Sequence, residues 1–518
     1  MRKDLKELYD RKEFLKDENR TESIKKRHQK GLRTARENIE DLCDQNSFKE
    51  LGSLIIAGQK KRFTQEELIK KTPADGLVSG IGEINLKYFD KSKAKCCILS
   101  YDYTVLAGTQ GGFNHKKTDR LMSIAKKGNN PIIFFVEGGG GRPGDVDFDL
   151  INSGGLDLST WTEFARLSGK VPRIAIVSGN CFAGNAAIAG CADVIIATKN
   201  SSLGMGGPAM IKEGGLGNFK PEEIGPSNVQ FSNGVIDILV NDEQEAVAKT
   251  KKYLSFFQGS LNNWESNDQN LIQDLIPENR KYAYDVTKIL KGIFDKESVL
   301  ELRAGFAKNM VTCLARIEGK PLGIIANSTK HLGGAIDGDA SDKASRFMQL
   351  CNAFNLPIIS FCDTPGFMVG PDHEKLALVR KSARLFLNGA SLSVPIISII
   401  LRKAYGLGSM AMAGGNFHES YLTLSWQTGE FGPMGLEAGV KLGFKKELDN
   451  TKNETEREKL YNKLVDQAYK KGKAINAAST MEIDEVIDPK ETRERITLAL
   501  ESFNFKEIKT NKSFIDSW

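Results

Sequence analysis

PIIFFVEGGGGRPG, residues 131–144, and PIISFCDTPGFMVG, residues 357–370, carry the reading of the fold. Each is an apolar, largely β-branched run that meets an acidic residue and then a glycine-rich turn, which is how a buried strand ends. Working outward, VPRIAIVSGNCFAGNAA from Val171 is answered by VPIISIILRKAYGLGSMAM from Val394, and LGMGGPAM from Leu203 by FGPMGLEAG from Phe431. Three matched landmarks in one order, offset by roughly 225 residues, indicate a duplicated domain. Around them, strand-like runs (CCILSYDYTVLAG from Cys96, DVIIAT from Asp193, PLGIIANS from Pro321) alternate with helical or glycine-rich segments. That alternation is the mark of an α/β fold.

Length agrees with duplication, because 518 residues exceed one ordinary core and suit two domains of about 200 to 250 residues. The expected division is 1–257, a polar linker 258–285 rich in Asn, Asp and Ser, and 286–518. Ahead of the first repeat, residues 1–45 read as two helices. SDKASRFMQLCNAFN from Ser341 reads as an amphipathic helix with apolar contacts at Ala344, Phe347, Met348 and Cys351. IDEVIDPKETRERITLALESF reads as a closing strand, turn and helix.

Composition excludes several classes. Seventy-two basic against 66 acidic side chains leave a formal charge of +6, spread along the chain, which gives no support to a nucleic-acid or membrane-surface role. Eight cysteines without CxxC spacing sit mostly in apolar runs, as reduced core cysteines do. With five isolated histidines, no metal site is expected. No apolar stretch approaches the length of a membrane span and no secretory or transit signal opens the chain, so a cytoplasmic protein is expected.

The glycine turns admit three readings. Gly139, Gly141 and Gly144, with Asp157 beyond them, match the dinucleotide fingerprint, but four consecutive glycines make that match almost unavoidable and no helix opens promptly. Alternatively, the glycines only let strands end and helices pack closely. In the third reading, bare backbone N–H groups form oxyanion holes for a thioester carbonyl becoming an enolate. That chemistry needs no side-chain nucleophile, and the sequence has no nucleophile elbow, P-loop or metal motif.

Further motifs bear on the choice: ARIEGKPLGIIAN from Ala315, AIDGDASDKASRFMQLCNAFNLPIISFCDTPGF from Ala335, RKAYGLGSMAM from Arg402, and GLRTARENIEDLCDQNSFKELG from Gly31. On these the chain resembles the carboxyltransferase component of biotin-dependent acyl-CoA carboxylases over roughly residues 30–500. VEGGGGRPGDVD from Val136 and LGMGGPAMIKEGGLG from Leu203 are most similar to the carboxyltransferase region of single-chain, long-chain type enzymes.

The resemblance implies two tandem crotonase-like domains of repeated ββα units with an N-terminal helical extension, assembled as a homohexamer. It implies CO2 transfer from carboxybiotin to the α-carbon of an acyl-CoA. Biotin would arrive on a biotin carboxyl carrier protein loaded by a biotin carboxylase. Aligned on the family's DSGGAR turn, Gly139 and Gly140 take the acyl oxyanion, flanked by Gly138 and Gly141. Aligned on its KAYGGA turn, Leu407 and Gly408 take the biotin ureido oxygen, flanked by Ala404, Tyr405 and Gly406. Glu137-Gly138 replaces Asp-Ser, and Leu407 replaces a glycine. Met410 stands where propionyl-type enzymes carry an acidic residue that helps set acyl preference. A decarboxylase running the transfer in reverse, and an inactive scaffold paralogue, are the alternatives. Asp339 and Asp363 read as turn or capping residues, and Lys116 and Lys117 as a solvated pair.

Overall fold

The computed structural model describes residues 1–142, 144–147, 157–505 and 514–518. Pro143 and residues 148–156, between the glycine run and Asp157, therefore lie outside the described residues. The chain forms two compact units, Met1–Gly259 and Ser260–Asp516.

Each unit is built on one sheet. In the first, seven strands run in the order Lys49–Glu50, Leu77–Glu83, Lys95–Tyr101, Ile132–Phe135, Arg173–Val177, Val194–Thr198 and Ile238–Val240. The first three pair antiparallel and the rest parallel. The second unit repeats this with Leu300–Leu302, Met310–Ile317, Lys320–Asn327, Ile358–Thr364, Ile396–Tyr405, Leu422–Trp426 and Glu485–Ile487. Its first three strands are again antiparallel and the others parallel. Every residue of Ile132–Phe135 and Ile358–Thr364 is buried, which is why these runs read as continuous apolar strands rather than alternating ones.

The repeat extends to single backbone conformations. Left-handed Ala74, Leu106 and Asn129 (φ 53, 49 and 51°) are matched by Ala307, Leu332 and Asn355 (φ 43, 49 and 56°). In sequence terms these are the turn before the second strand, the turn before the long helix, and the end of that helix, where Asn129 is the C-cap and Asn355 follows the C-cap Phe354. The long helices are Gly112–Gly128 and Gly338–Ala353, and in the latter Ala344, Phe347, Met348 and Cys351 are all buried, as the sequence pattern requires.

Three details differ from the sequence reading. Residues 1–45 form three α-helices, Lys3–Glu13, Thr21–His28 and Ala35–Leu42, not two, with the 3-10 turn Asp17–Asn19 between the first pair. The third begins on a capping box in which Thr34 Oγ1 accepts the Glu37 N–H, a Thr-x-x-Glu signal present in the sequence. The passage 258–285, expected as a linker, carries the 3-10 helix Gln269–Leu275, whose Ile272 is fully buried in the second unit's core with Ile276 and Tyr284. Finally, Lys117 is not solvated: it is 3% exposed, and its Nζ donates to the carbonyls of Ala74 and Leu77, with burial pulling its pKa down to about 8. Lys343, at the matching place in the second long helix, donates to Phe306 O at 2.9 Å. All eight thiols are free, and among the described residues no helix is long and apolar enough to cross a membrane.

Candidate active site

Two glycine turns meet in each unit. In the first, the strand Ile132–Phe135 runs on into Glu137 and Gly138–Gly141, while Arg173–Val177 leads through Asn180–Phe182 to the helix Gly184–Gly190. A parallel bridge joins Gly138 to Cys181. In the second, Thr364 and Ala404 make the same bridge, and Ile396–Tyr405 runs directly into the helix Gly406–Met412. Glu137 is thus the counterpart of Asp363, Gly140 of Gly366, and Gly184-Asn185 of Leu407-Gly408.

The turns are held the same way. Gln110 N–H donates to Gly140 O at 2.7 Å and Arg142 N–H to Gln110 O at 2.8 Å; Ile336 N–H donates to Gly366 O at 3.0 Å and Met368 N–H to Ile336 O at 2.8 Å. Gly140 sits at φ +85°, and a Cβ there would lie 2.6 Å from Ala183 Cβ, so only glycine fits.

Gly140 does not offer a free amide, contrary to the sequence expectation. Its N–H donates to Asn185 Oδ1 at 3.0 Å, and Asn185, fully buried, also donates Nδ2 to Gly108 O at 3.3 Å. Gly138 N–H is likewise taken, by Asn180 O at 2.8 Å. Gly139 and Gly141 make no such bond to a described residue. Sequence reasoning missed Asn185 because its role appears only once the two turns are adjacent.

At the second turn, Leu407 and Gly408 occupy the first turn of Gly406–Met412, where N–H groups have no intrahelical acceptor. Leu407 is 61% exposed and Gly408 buried. Two neighbouring orphan donors suit a ureido oxygen, which has two lone pairs to give. Tyr405 OH donates to Glu430 Oε2 at 3.0 Å, Glu430 faces Arg280 at 3.7 Å, and Arg280 stacks over the Tyr469 ring at 3.5 Å. Met410 is half-buried and, with Ala404, Gly406, Met434, Val440 and Phe444, lines a largely apolar cavity of about 730 Å³ whose lining also includes Lys471, Lys473 and Glu482.

Both turns are preceded by buried charge. Asp363, fully buried, accepts from Tyr284 OH at 2.8 Å and pairs with Lys403 Nζ at 2.6 Å and Arg402 Nε at 3.1 Å. It is an ion-pair centre rather than a cap, and Asp337, not Asp339, caps the long helix by accepting the Ala340 N–H. Glu137 pairs with Arg27 through two bonds of 2.9 and 2.6 Å, and burial pushes its carboxyl up to about 7 against the pull of Arg27. Arg142, at the far end of the glycine run, pairs with Asp75 at 2.7 Å and Asp145 at 3.2 Å. The dinucleotide reading loses its ground, because the glycine run leads into this ion pair and the sheet begins with antiparallel strands.

Comparison with known proteins bears on the same residues. The carboxyl transferase domain family profile matches residues 26–514. The methylmalonyl-CoA carboxyltransferase 12S subunit of Propionibacterium freudenreichii subsp. shermanii is 32% identical over 499 residues, covering 93% of this chain and 91% of that protein. The structure of a transcarboxylase 12S hexamer with methylmalonyl-CoA bound superposes with a TM-score of 0.82 at 30% identity, over 93% of this chain and 91% of that one. A single-chain, multi-domain long-chain acyl-CoA carboxylase superposes with a TM-score of 0.91 at 52% identity; the match covers 96% of this chain and 49% of that protein. The α/β architecture is the crotonase-like fold of the 12S structure. The chain therefore belongs to the carboxyl transferase domain family, as a carboxyltransferase of the acyl-CoA carboxylase type that acts on acyl-CoA substrates.

Proposed function

We propose that this chain transfers a carboxyl group from carboxybiotin, held on a separate carrier protein, to the α-carbon of an acyl-CoA. The observation that supports it most is the pair of glycine turns, each rigidly bonded and each leaving backbone N–H groups that donate to no described residue. In the first unit, Gly139 N–H accepts the role of donor to the thioester oxygen, while Gly138, Gly140 and Gly141 shape its turn. A hydrogen bond that strengthens as the carbonyl becomes an enolate lowers the barrier to losing the α-proton, which the ureido group of biotin would take up on releasing CO2, leaving the enolate to attack that CO2. In the second unit, the Leu407 and Gly408 N–H groups hold the ureido oxygen, with Ala404, Tyr405 and Gly406 fixing the approach of the chain. Biotin supplies the carboxyl group; a biotin carboxylase and a biotin carboxyl carrier protein are the partners required. A homohexamer is the proposed state, in keeping with the hexamer assembly named for the 12S relative.

The test is reconstitution of the chain with a biotin carboxylase, a biotinylated carrier, ATP and labelled bicarbonate over acyl-CoAs of increasing chain length. Acid-stable label is expected in at least one product. Its absence from all of them, with the carrier shown to be carboxylated, would overturn the function.

Met410 gives a second expectation. A longer apolar chain would desolvate a carboxylate at this largely apolar wall, so Met410→Asp should lower kcat/KM for the longer acyl-CoAs by about tenfold or more relative to the short ones. An unchanged profile would make Met410 ordinary packing.

A further inference from the structure

The acid before each glycine turn obtains its counter-charge in two different ways. In the second unit it is local: Asp363 pairs with Arg402 and Lys403, on the adjacent strand. From the matched bridges Gly138–Cys181 and Thr364–Ala404, the positions of Arg402 and Lys403 correspond to Gly179 and Asn180 in the first unit. Neither of these two positions carries a cation. Gly179 is at φ +95°, and a Cβ on it would lie 2.3 Å from Glu137 Oε1, so the carboxylate itself fills the space a side chain would take. The missing cation comes instead from the N-terminal helix Thr21–His28, as Arg27.

Arg27 is 7% exposed and fully engaged. Its two Nη groups reach both Glu137 oxygens, its Nε donates to Arg33 O at 2.8 Å, and Glu243 lies 3.6 Å away as a second carboxylate. The pair adjoins a run of four glycines, which have no side chains to anchor them. Besides backbone bonds and Asn185, that run is located by its two ends: Glu137 with Arg27 on one side, Arg142 with Asp75 and Asp145 on the other.

We propose that Arg27 is a positioning residue for the acyl turn, placing the amides of Gly138–Gly141 through its paired bonds to Glu137. The role rests on the reading of that turn as the acyl half-site. The helical extension is thereby part of the active-site architecture, standing in for the strand-borne cations of the second unit. The raised pKa of Glu137 agrees: with Arg27 gone, burial would leave the carboxyl protonated at working pH and its anchor lost.

The test uses the full chain reconstituted with its partners, as wild type, Arg27→Ala, Arg27→Lys and Glu137→Gln. Misplacement of the turn should lower kcat about tenfold to a hundredfold in Arg27→Ala. The acyl-CoA KM should stay within about twofold, because the lost interaction acts chiefly in the transition state. Lysine keeps charge without the paired bonds, so Arg27→Lys should fall between. Millimolar guanidinium should restore part of the Arg27→Ala rate. Hydrogen exchange of the Gly138, Gly140 and Arg142 amides should quicken in Arg27→Ala while the central strands keep their protection. If Arg27→Ala does not fold, the Arg27→Lys comparison decides by the same kcat and exchange readings. Wild-type kcat in the folded variants, or exchange that rises uniformly across the first unit, overturns the positioning role alone. A wild-type chain that transfers no carboxyl group overturns the function, and this role with it.

Discussion

Gly408→Ala is expected to lower carboxyl transfer by about a hundredfold while acyl-CoA binding persists. A Cβ at residue 408 would lie 2.7 Å from Gly366 Cα, 2.8 Å from Gly366 C and 3.0 Å from the Phe367 nitrogen. All three are backbone atoms of a turn fixed at both Gly366 O and Met368 N–H, so no side chain can swing away to make room. The helix Gly406–Met412 must back off instead, and it carries the Leu407 and Gly408 amides with it. The measurement separates the two half-sites. Equilibrium binding of the acyl-CoA reports the first unit, and carboxyl transfer from carboxybiotin reports both. Transfer near the wild-type rate would remove Leu407 and Gly408 from the proposed site.

Asp363→Ala should be among the most destabilising single changes in the second unit, costing about 3 to 5 kcal/mol. Truncation leaves Arg402, 4% exposed, and the inner end of Lys403 without their anion, and strips Tyr284 OH of its acceptor. The loss of such a centre exceeds the worth of the pair itself, since a stranded buried charge cannot regain water. Asp363→Asn separates charge from shape: it preserves volume and can still accept from Tyr284, yet most of the loss should remain. Because the chain has two units, a single unfolding midpoint would mix them. Hydrogen exchange along Ile396–Tyr405 under increasing denaturant isolates the unit concerned. Unchanged protection there in Asp363→Ala would show that the cations find other partners.

Much of the architecture was readable from one-dimensional pattern. Two β-branched runs ending in an acid and glycines located the strands Ile132–Phe135 and Ile358–Thr364, and their spacing disclosed the duplication, because buried parallel strands leave an uninterrupted apolar signature. The closing Glu485–Ile487 strand and Thr492–Ser502 helix were legible for similar reasons. The charged network was not. Arg27 and Glu137 are far apart in sequence, and no periodicity links an arginine on a polar-looking helix to an acid at a strand end. Lys117 looked solvated beside Lys116 because adjacent residues on a helix face different ways, and the sequence alone does not say which one turns inward. The Asn185 contact was hidden more deeply still, since a carboxamide reveals its acceptor only when two turns meet.

That carboxamide has a counterpart. Gly140 gives its N–H to Asn185 Oδ1, and Gly366 gives its own to Thr364 Oγ1 at 3.1 Å, so two unrelated side chains close the same corner. A corner closed from within keeps its shape with nothing bound. Ligands then meet a preorganised surface and need not spend affinity on ordering a loop, so encounter should be limited by delivery of the carrier rather than by a folding step at the turn.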